Sequence, residues 1–471
     1  MSITSALLSS RSGLAVAGTR AGIASENIAN AGRTDYVRRN ATLSSQTTGG
    51  GVEVSSIRRD VDGALQTRER SDRAQASYNQ TLSAGLALYT DRLGEMGTPA
   101  ALPARIAALQ SDLDLMAGTP AATGAQRSVL NSAEELVRGI TGAATALGAA
   151  QDDALSGLRN DLTELNALLR DVAEMNATIG DAAPGTPRRA TAEDARDAAL
   201  DRITEYADVT VLRQADGRID VIASGGAALV EGTETHALSF DATTGTLRAG
   251  EVDVTPGRAG VRGVSAGSLS ARVDLVTEVL PGMSRQLDGL AAALVTTFEG
   301  ADASLGAGQA GLFTDAGAAY DPAAREGLAE RLAVNDAVRP DAGGALWRLR
   351  DGIGAAAEGA ASDPTQVLAF VGALESAQSF DPADGLGASN TLADYAAVMV
   401  SEHNVATSEA GVRAESYAAS AAAIAHQRSS TEGVNVDTEL QDLLSIEQSY
   451  AANSQVISAL TRMMDTLLEA V

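Results

Sequence analysis

The sequence has no cysteine and no lysine, and aromatic residues make up only 3% of its 471 residues. A chain without cysteine cannot form disulfides, thiolate nucleophiles or cysteine-bound metal sites. A chain without lysine can form neither a Schiff base nor the lysine–phosphate contact of a P-loop. Alanine, glycine, leucine and valine supply most of the apolar mass. We therefore expect closely packed helices and no large aromatic-lined pocket.

Positive charge and long hydrophobic runs are also scarce. The 61 carboxylates outnumber the 35 arginines, which gives a net charge of −26. This argues against nucleic acid as a ligand, because phosphate contacts need clustered basic side chains, and it is typical of a soluble protein. No segment approaches the roughly 20 apolar residues of a membrane span. The N-terminus lacks the pattern of a cleaved secretory signal, so we expect export, if it occurs, to use neither a cleaved signal nor an anchor.

Residues suited to catalysis or metal binding are scattered. His236, His403 and His426 are the only histidines and lack the close spacing of a zinc site. The segment Asp194-Ala195-Arg196-Asp197 is predicted to be a solvated ion-pair network on an exposed helical face. We predict no catalytic, cofactor-binding or metal-binding residues, and a protein that is not an enzyme.

Both ends of the chain carry apolar residues at heptad spacing. A seven-residue apolar repeat keeps one seam facing a partner helix. At the C-terminus the repeat comprises Val436, Leu443, Tyr450, Ile457, Met464 and Val471, with Leu440, Ile446, Leu460 and Leu467 on the same side. At the N-terminus it comprises Ile3, Leu7, Ser10, Leu14, Ala17, Ala21, Ala24, Ile28 and Ala31.

The two strips could pair with each other, with neighbouring subunits, or both. Residues 1–40 carry five arginines against two carboxylates, whereas residues 431–471 carry seven carboxylates against one arginine. Opposite charges favour the two segments lying side by side. Gly13, Gly18 and Gly22 each cost about 1 kcal/mol in a helix interior, so we expect both ends to be flexible in the monomer.

The pattern between the ends predicts a mainly α, multi-domain fold with an inserted small β-domain and a central helical bundle. Strand-like alternation around Val209-Thr210-Val211 places about five to seven short strands in the insertion. Helical patterning returns after it and includes a helix near 343–358. The predicted domains are terminal helices paired as a coiled coil (1–35 and 431–471), a helical shell domain (36–207 and 265–430, with an extended segment near 36–59) and an outer β-domain (208–264).

Two terminal motifs resemble the signatures of flagellar rod, hook and hook-associated proteins, the axial family. The first is Ser25-Glu26-Asn27-Ile28-Ala29-Asn30-Ala31 followed by Thr34-Asp35-Tyr36-Val37-Arg38. The second is Gly433-Val434-Asn435-Val436-Asp437-Thr438-Glu439-Leu440 followed by Glu447-Gln448-Ser449-Tyr450. Tyr36-Val37-Arg38 is similar to the hook-associated members, since rod and hook proteins usually carry Gly-Phe there.

The resemblance implies a structural role in the bacterial flagellum, at the junction between hook and filament, with self-assembly through the terminal helices. Implied partners are further copies of the chain, the hook protein, the second junction protein and a small cytoplasmic export chaperone. The implied location is extracellular, after type III export. The expected assembly interface comprises Ile3, Leu7, Leu14, Asn27, Ile28, Asn30, Tyr36, Leu440, Leu443, Tyr450, Ile457, Leu460, Met464 and Leu467. The expected chaperone-binding residues are Leu443, Tyr450, Ile457 and Met464.

Three alternatives remain open on the sequence. Another axial protein (the second junction protein, a hook protein or a flagellin) would share the terminal heptads. A flagellum-associated hydrolase would need a cleft with positioned carboxylates, and no segment offers an aromatic-lined sugar groove. An adhesin would place recognition in residues 208–264.

Overall fold

The computed structural model of the chain describes residues 3–33, 35–46 and 50–469. Thr34 and Val471 lie outside the described residues, as does the side chain of Leu467. The helices are α1 (Ile3–Ala29), α2 (Gly63–Leu93), α3 (Leu102–Gly118), α4 (Thr123–Asp181), α5 (Pro187–Tyr206), α6 (Ser268–Asp274), α7 (Leu280–Ala301), α8 (Leu328–Arg331), α9 (Arg348–Asp351), α10 (Thr365–Glu375), α11 (Leu392–Glu432) and α12 (Val436–Glu469).

Short strands complete the fold, and the predicted mainly α fold with a small β insertion is confirmed. The strands are β1 (Arg39–Ser45), β2 (Val52–Arg59), β3 (Val209–Arg213), β4 (Ile219–Ala223), β5 (Ala228–Glu231), β6 (Glu234–Thr235), β7 (Leu238–Asp241), β8 (Thr246–Ala249), β9 (Val252–Asp253), β10 (Phe313–Asp315), β11 (Leu332–Val334), β12 (Gln378–Ser379) and β13 (Ser389–Asn390).

The chain forms two compact units. Unit 1 contains residues 1–78, 160–270 and 414–471, and unit 2 contains residues 79–159 and 271–413. The domains predicted from the sequence follow secondary structure, whereas these units follow contacts, so the domain prediction stays a prediction. Within the part of the chain that is described, no helix is both long and apolar enough to cross a lipid bilayer.

Unit 1 holds the chain ends, a β-hairpin and the β insertion. Strands β1 and β2 pair antiparallel, with Arg39 opposite Arg59. In the insertion, β3–β6 form one antiparallel sheet and β7–β9 a second. The buried amide of Asn176 on α4 donates to the carbonyls of Ile219 and Gly232 and accepts from the Ile219 N–H. The first sheet is thereby attached to α4 by satisfied backbone groups.

Unit 2 has a helical core that contains the largest fully buried side chains. Tyr89 on α2 is buried, and Phe298 on α7 packs edge-on against Phe313 and obliquely against Phe370. Such aromatic contacts fill more volume than the aliphatic residues that dominate the composition. The few aromatic residues of the chain are thus concentrated where a deep core is needed.

The helix predicted near 343–358 is wrong except for the single turn of α9. Gly343 and Gly352 have φ of 89° and 101°, which end the helix on both sides. The backbone N–H of Ile353 donates to Asp302, and that of Gly354 donates to the Ser304 hydroxyl. The segment is therefore held by side-chain hydrogen bonds that a helix would not permit.

Candidate functional site

Helices α1 and α12 pack along each other in unit 1, and we call them the helix pair. On α1 the apolar seam is made mainly of small residues, and Ala17 and Ala24 are buried in it. At Gly13 a Cβ atom would lie only 2.8 Å from Nδ2 of Asn453 on α12. The small side chains of α1 thus permit a close approach of α1 and α12, because no bulky side chain holds the two helices apart.

Part of the apolar surface of α12 stays exposed after this pairing. Ile446 is 4% exposed and faces the seam, whereas Leu444 is 59% exposed. A helix with apolar residues outside its packed stripe has surface for a second partner. The large apolar residues exposed on α12 are Val436, Leu440, Leu444, Tyr450, Val456, Met463, Met464 and Leu468.

The predicted interface residues divide into three groups. Those half-buried within the chain are Ile3, Leu7, Leu14, Ile28, Asn30, Tyr36, Leu443, Ile457 and Leu460. Leu440, Tyr450 and Met464 are exposed. Asn27 is 1% exposed, and its bonds lie inside the chain. The exposed members are therefore the ones available to another molecule.

Asn27 is the centre of a hydrogen-bonded cluster at the end of α1. Its Nδ2 donates to the Arg39 carbonyl (3.0 Å) and to Glu439 Oε2 (3.1 Å). Its Oδ1 accepts from the Tyr36 hydroxyl (2.8 Å) and the Arg39 N–H (3.1 Å). An amide has two donors and two acceptor positions, so every one of them is filled. We call Asn27, Tyr36, Arg38, Arg39 and Glu439 the Asn27 cluster.

Arg38 connects the cluster to α12. Its Nε donates to Glu439 Oε1 at 2.6 Å, and its Nη2 lies 3.5 Å from Asp442. Glu439 is buried and receives hydrogen bonds from both Asn27 and Arg38. A buried carboxylate with two charge-assisted or amide donors is stabilised, whereas removal of either donor leaves it uncompensated. Burial raises the pKa of Tyr36 to about 12.

Arg39 continues the cluster into a buried ion-pair network on α5. Asp194 accepts from Arg39 Nη2 and from Arg59 Nε, both at 2.7 Å, and Asp197 accepts from Arg59 Nη2 at 2.6 Å. Burial raises the pKa of Asp194 in spite of Arg59 and Arg39. Burial also acts to raise the pKa of Asp197, but Arg59 and Arg70 lower it by more.

The prediction of a solvated network at Asp194-Ala195-Arg196-Asp197 is wrong. Asp194, Arg196 and Asp197 are all buried. Their partners come from residues that are far away in sequence, such as Arg39 and Arg59 on the hairpin. Sequence reasoning missed this site because short charged segments look alike on exposed and buried faces. The one available signal in the sequence is the two arginine pairs, Arg38-Arg39 before the hairpin turn and Arg58-Arg59 after it, which the antiparallel pairing brings to the same end of the hairpin.

The turn between α11 and α12 is attached to the same region. The Arg38 N–H donates to the Glu432 carbonyl (2.9 Å), and the Glu432 carboxylate accepts from the Asp62 N–H (2.8 Å). Arg428 also bonds Glu432 and reaches the buried Glu69. These contacts fix where α12 begins relative to the N-terminal hairpin.

Side chains that could bind a metal ion stay apart in the described residues. Among the described residues, no group of three or more His, Asp or Glu side chains is placed to hold a metal ion. His403 is buried in unit 2 between Tyr89 and Gln286. His236 lies near the exposed Glu231. In the described residues, the contacts of this region hold α1, α12 and the hairpin in alignment.

Comparison with known proteins identifies the family. The model of the helical domain of the flagellar hook-associated protein FlgK matches residues 91–312. The model of the C-terminal region of flagellar basal body rod FlgEFG proteins matches residues 426–470. The chain belongs to the FlgK family of flagellar hook-associated proteins. The predicted axial family is thus confirmed, and the second match covers α12 and its connection to α11.

A solved structure is also similar, that of the flagellar hook junction protein FlgK from Burkholderia pseudomallei. The identity is 21%, the TM-score is 0.42, and the match covers 53% of this chain and 46% of that chain. The chain thus aligns with somewhat less than half of that relative. Among curated proteins no match was found.

Proposed function

We propose that this chain is a structural component of the bacterial flagellum that forms the junction between hook and filament by self-assembly through its terminal helices. The observation that carries the proposal is the exposed apolar surface on α12, in a chain whose family is hook-associated. We propose no enzymatic role.

Two different surfaces of the helix pair support this role. The seam between α1 and α12 is satisfied inside one chain, so it gives each subunit a defined unit of two helices. The exposed residues, Leu440 and Leu444 among them, then remain for a second molecule. Burying them on assembly removes apolar surface from water at about 25 cal/mol per Å², which drives association without changing the pair itself.

The Asn27 cluster supports the same role by fixing the pair. Glu439 on α12 binds Asn27 and Arg38 from the N-terminal segment. Because these groups are buried, sliding one helix along the other would break several charge-assisted bonds at once. The two ends of the chain would then be presented to a neighbour in one arrangement, as a ring of identical subunits needs.

The proposed neighbours are further copies of the chain, the hook protein on one side and the second junction protein on the other. The proposed location is the extracellular part of the flagellum, reached by type III export. Before export a small cytoplasmic chaperone would cover α12. Of its proposed contacts, Tyr450 and Met464 are exposed, whereas Leu443 and Ile457 are half-buried against the seam. The chaperone would therefore have to compete with α1 for part of its surface.

The function is tested in the source bacterium by deleting the gene and imaging its hooks by electron microscopy. We expect hooks of normal length without filaments, and flagellin released into the medium. Restoring the wild-type gene should restore filaments. Missing or short hooks would indicate a rod or hook protein, and unchanged filaments would exclude the junction role.

The chaperone proposal has its own test by calorimetry. A chain lacking residues 431–471 should no longer bind the flagellar export chaperone of the source bacterium. Deleting residues 208–264 should leave that binding intact. Unchanged affinity of the chain lacking 431–471 would show that the chaperone binds elsewhere.

A further inference from the structure

A cleft with four arginines in its lining lies between β2 and the first turns of α5, within unit 1. Its volume is about 340 Å³. Four arginines and one carboxylate supply its charged lining. These are Arg58, Arg59, Arg189, Arg213 and Glu193. We call it the arginine cleft.

Two of the four arginines are neutralised inside the chain. Arg59 is buried and bonds Asp194 and Asp197. Arg189 lies 3.2 Å from Glu193 and also donates to the Asp216 carbonyl. The single carboxylate of the lining is thereby already paired with an arginine. The positive charge of the cleft that remains belongs to the other two arginines.

Arg58 on β2 and Arg213 at the end of β3 are exposed. In the described ranges neither side chain forms an ion pair or a hydrogen bond, and the same holds for the side chain of the exposed Arg188 on the first turn of α5. Carboxylates outnumber arginines 61 to 35 in this chain. Unpaired arginines beside one cleft are therefore a local excess of positive charge on an acidic protein.

The shape of the cleft is set by backbone contacts. The Ile57 N–H donates to the Gly185 carbonyl at 2.9 Å, which joins β2 to the turn before α5. Gly185 has a φ of 74°, and a Cβ there would lie 2.5 Å from Cβ of Ser56. Thr186 then caps α5 by accepting from the Arg189 N–H. The floor of the cleft is thus closely packed, and only its charged rim faces outward.

We propose that the arginine cleft receives a carboxylate-bearing surface of a second copy of this chain, an inference that rests on the proposed self-assembly. Each copy carries a net charge of −26, so copies repel one another at long range. A patch of opposite sign on each copy lowers this repulsion where two copies meet, and guanidinium groups bind carboxylates in a defined bidentate geometry. Exposed carboxylates of α12, such as Asp437 and Glu447, provide one such surface. The cleft would select the register in which copies meet.

The absence of cysteine makes this contact accessible to site-specific cross-linking. Arg213→Cys, labelled with a thiol-reactive photo-cross-linker, would carry the only thiol of the chain. It is added to hooks that lack the junction and illuminated after assembly. We expect cross-linked dimers of this chain whose attached peptide contains carboxylates. Arg92→Cys, at an exposed arginine in unit 2, is the control and should give at most a tenth of that product.

Two outcomes would overturn the cleft proposal and leave the junction role standing. One is attachment of the cross-linker to a peptide from another protein, and the other is no cross-link in hooks that have incorporated the labelled chain. Failure of the unlabelled wild-type chain to bind hook tips would overturn both.

A charge-reversal pair gives an independent measurement. Arg58→Glu with Arg213→Glu should lower incorporation at hook tips at least tenfold. Arg68→Glu with Arg92→Glu makes the same change in net charge at two exposed arginines outside the cleft and should stay within twofold of wild type. Arg58→Gln with Arg213→Gln, which removes charge without reversing it, should give an intermediate loss. If the cleft pair and the control pair lose incorporation equally, the loss is due to the change in net charge, and the proposal is overturned.

Discussion

At the residue scale, Asn27 shows why a short polar motif stands in an apolar helix. Its amide fills all four hydrogen-bonding positions with groups from the hairpin and from α12. No apolar residue of similar size can satisfy the Arg39 N–H and the Glu439 carboxylate together. Leaving such groups buried without partners costs more than the hydrogen bonds themselves contribute.

We predict that Asn27→Ala lowers the free energy of unfolding of unit 1 by about 1–3 kcal/mol, because it leaves the Arg39 N–H without its acceptor and removes one donor from Glu439. The measurement is the urea midpoint followed by circular dichroism. Asn30→Ala is the matched control. Asn30 lies in the same motif, but its side chain only donates to the Glu26 carbonyl near the surface. Equal effects of the two substitutions would contradict this account.

His403 provides a pH-dependent prediction for unit 2. Burial lowers its pKa from 6.5 to about 4. Its Nδ1 lies 2.9 Å from the Tyr89 hydroxyl, and Nε2 faces Gln286. A neutral ring can accept from Tyr89 and donate to Gln286. Between these two pKa values the unfolded chain binds a proton that the folded chain does not, so stability falls as the pH falls.

We therefore expect His403 to contribute a loss of about 1.4 kcal/mol of stability per pH unit as the pH falls from about 6.5 towards about 4. Carboxylates titrate in the same range, so the readout is the difference between wild type and His403→Gln, measured as urea midpoints at several pH values. His403→Gln should have the shallower pH dependence. His426→Gln, at an exposed position, should keep the wild-type dependence. If the urea midpoints of wild type and both variants have the same pH dependence, His403 is not the group responsible.

At the scale of elements, the heptad pattern was sufficient to predict that α1 and α12 are helices and that they could pair. It could not separate the residues that pack against α1 from those left exposed, because both classes are apolar. Ile446 and Leu444 lie two positions apart on α12 and differ from 4% to 59% exposed. Substitutions at these two positions can therefore distinguish an effect on folding from an effect on assembly.

We predict that Leu444→Asp blocks assembly on hooks while the folded chain stays intact. The aspartate lies in water in the free chain and is desolvated only when a second molecule covers it. Ile446→Asp should instead destabilise the helix pair itself, since it puts a charge into the seam. Circular dichroism and incorporation at hook tips are measured for both. Normal incorporation of a folded Leu444→Asp chain would show that this surface does not take part in assembly.

The failures of sequence reasoning at this scale have a common cause. The helix predicted near 343–358 fails because side chains from a distant loop, Asp302 and Ser304, bind its backbone. The charged segment at Asp194 is buried because arginines from the hairpin cover it. Periodicity reports what a segment can do alone. It contains no information on partners that lie far away in the sequence, 50 and 51 positions for Ser304 and Asp302 and 155 positions between Arg39 and Asp194.

At the scale of the whole molecule, unit 1 is closed by contacts between the two chain ends. Asn27 and Glu439 are 412 positions apart and bond directly. The opposite charges of residues 1–40 and 431–471 indicated that the ends lie together, and the structure places them so. From the sequence we expect both ends to be flexible in the monomer along their full length. Contacts at Asn27, Arg38 and Glu432 argue for a narrower flexible region, confined to the outer turns of the helix pair.

Trypsin can decide between these two expectations, because every basic residue of the chain is an arginine. Arg462 is the only arginine in residues 431–471 and lies on an exposed part of α12, and Arg11 is exposed near the start of α1. Cleavage needs local opening, which is easiest where few buried contacts hold the helix. We predict early cuts after Arg11 and Arg462 and slow cleavage after Arg38 and Arg428. The measurement is the time course of the cleavage products, identified by mass spectrometry.

The Asn27 cluster is the reason for the slow sites, so weakening it should expose them. Glu439→Gln keeps the shape of the side chain but removes the charge that Arg38 binds at 2.6 Å. We expect cleavage after Arg38 and Arg428 to accelerate at least tenfold in this variant, while the cut after Arg462 is unchanged. Glu447→Gln, at an exposed position eight residues further along α12, should behave as wild type. The wild-type chain could instead lose its first 35 and last 40 residues as fast as it is cut after Arg462. That result would establish that the two ends open together and that the Asn27 cluster does not hold them in the free subunit.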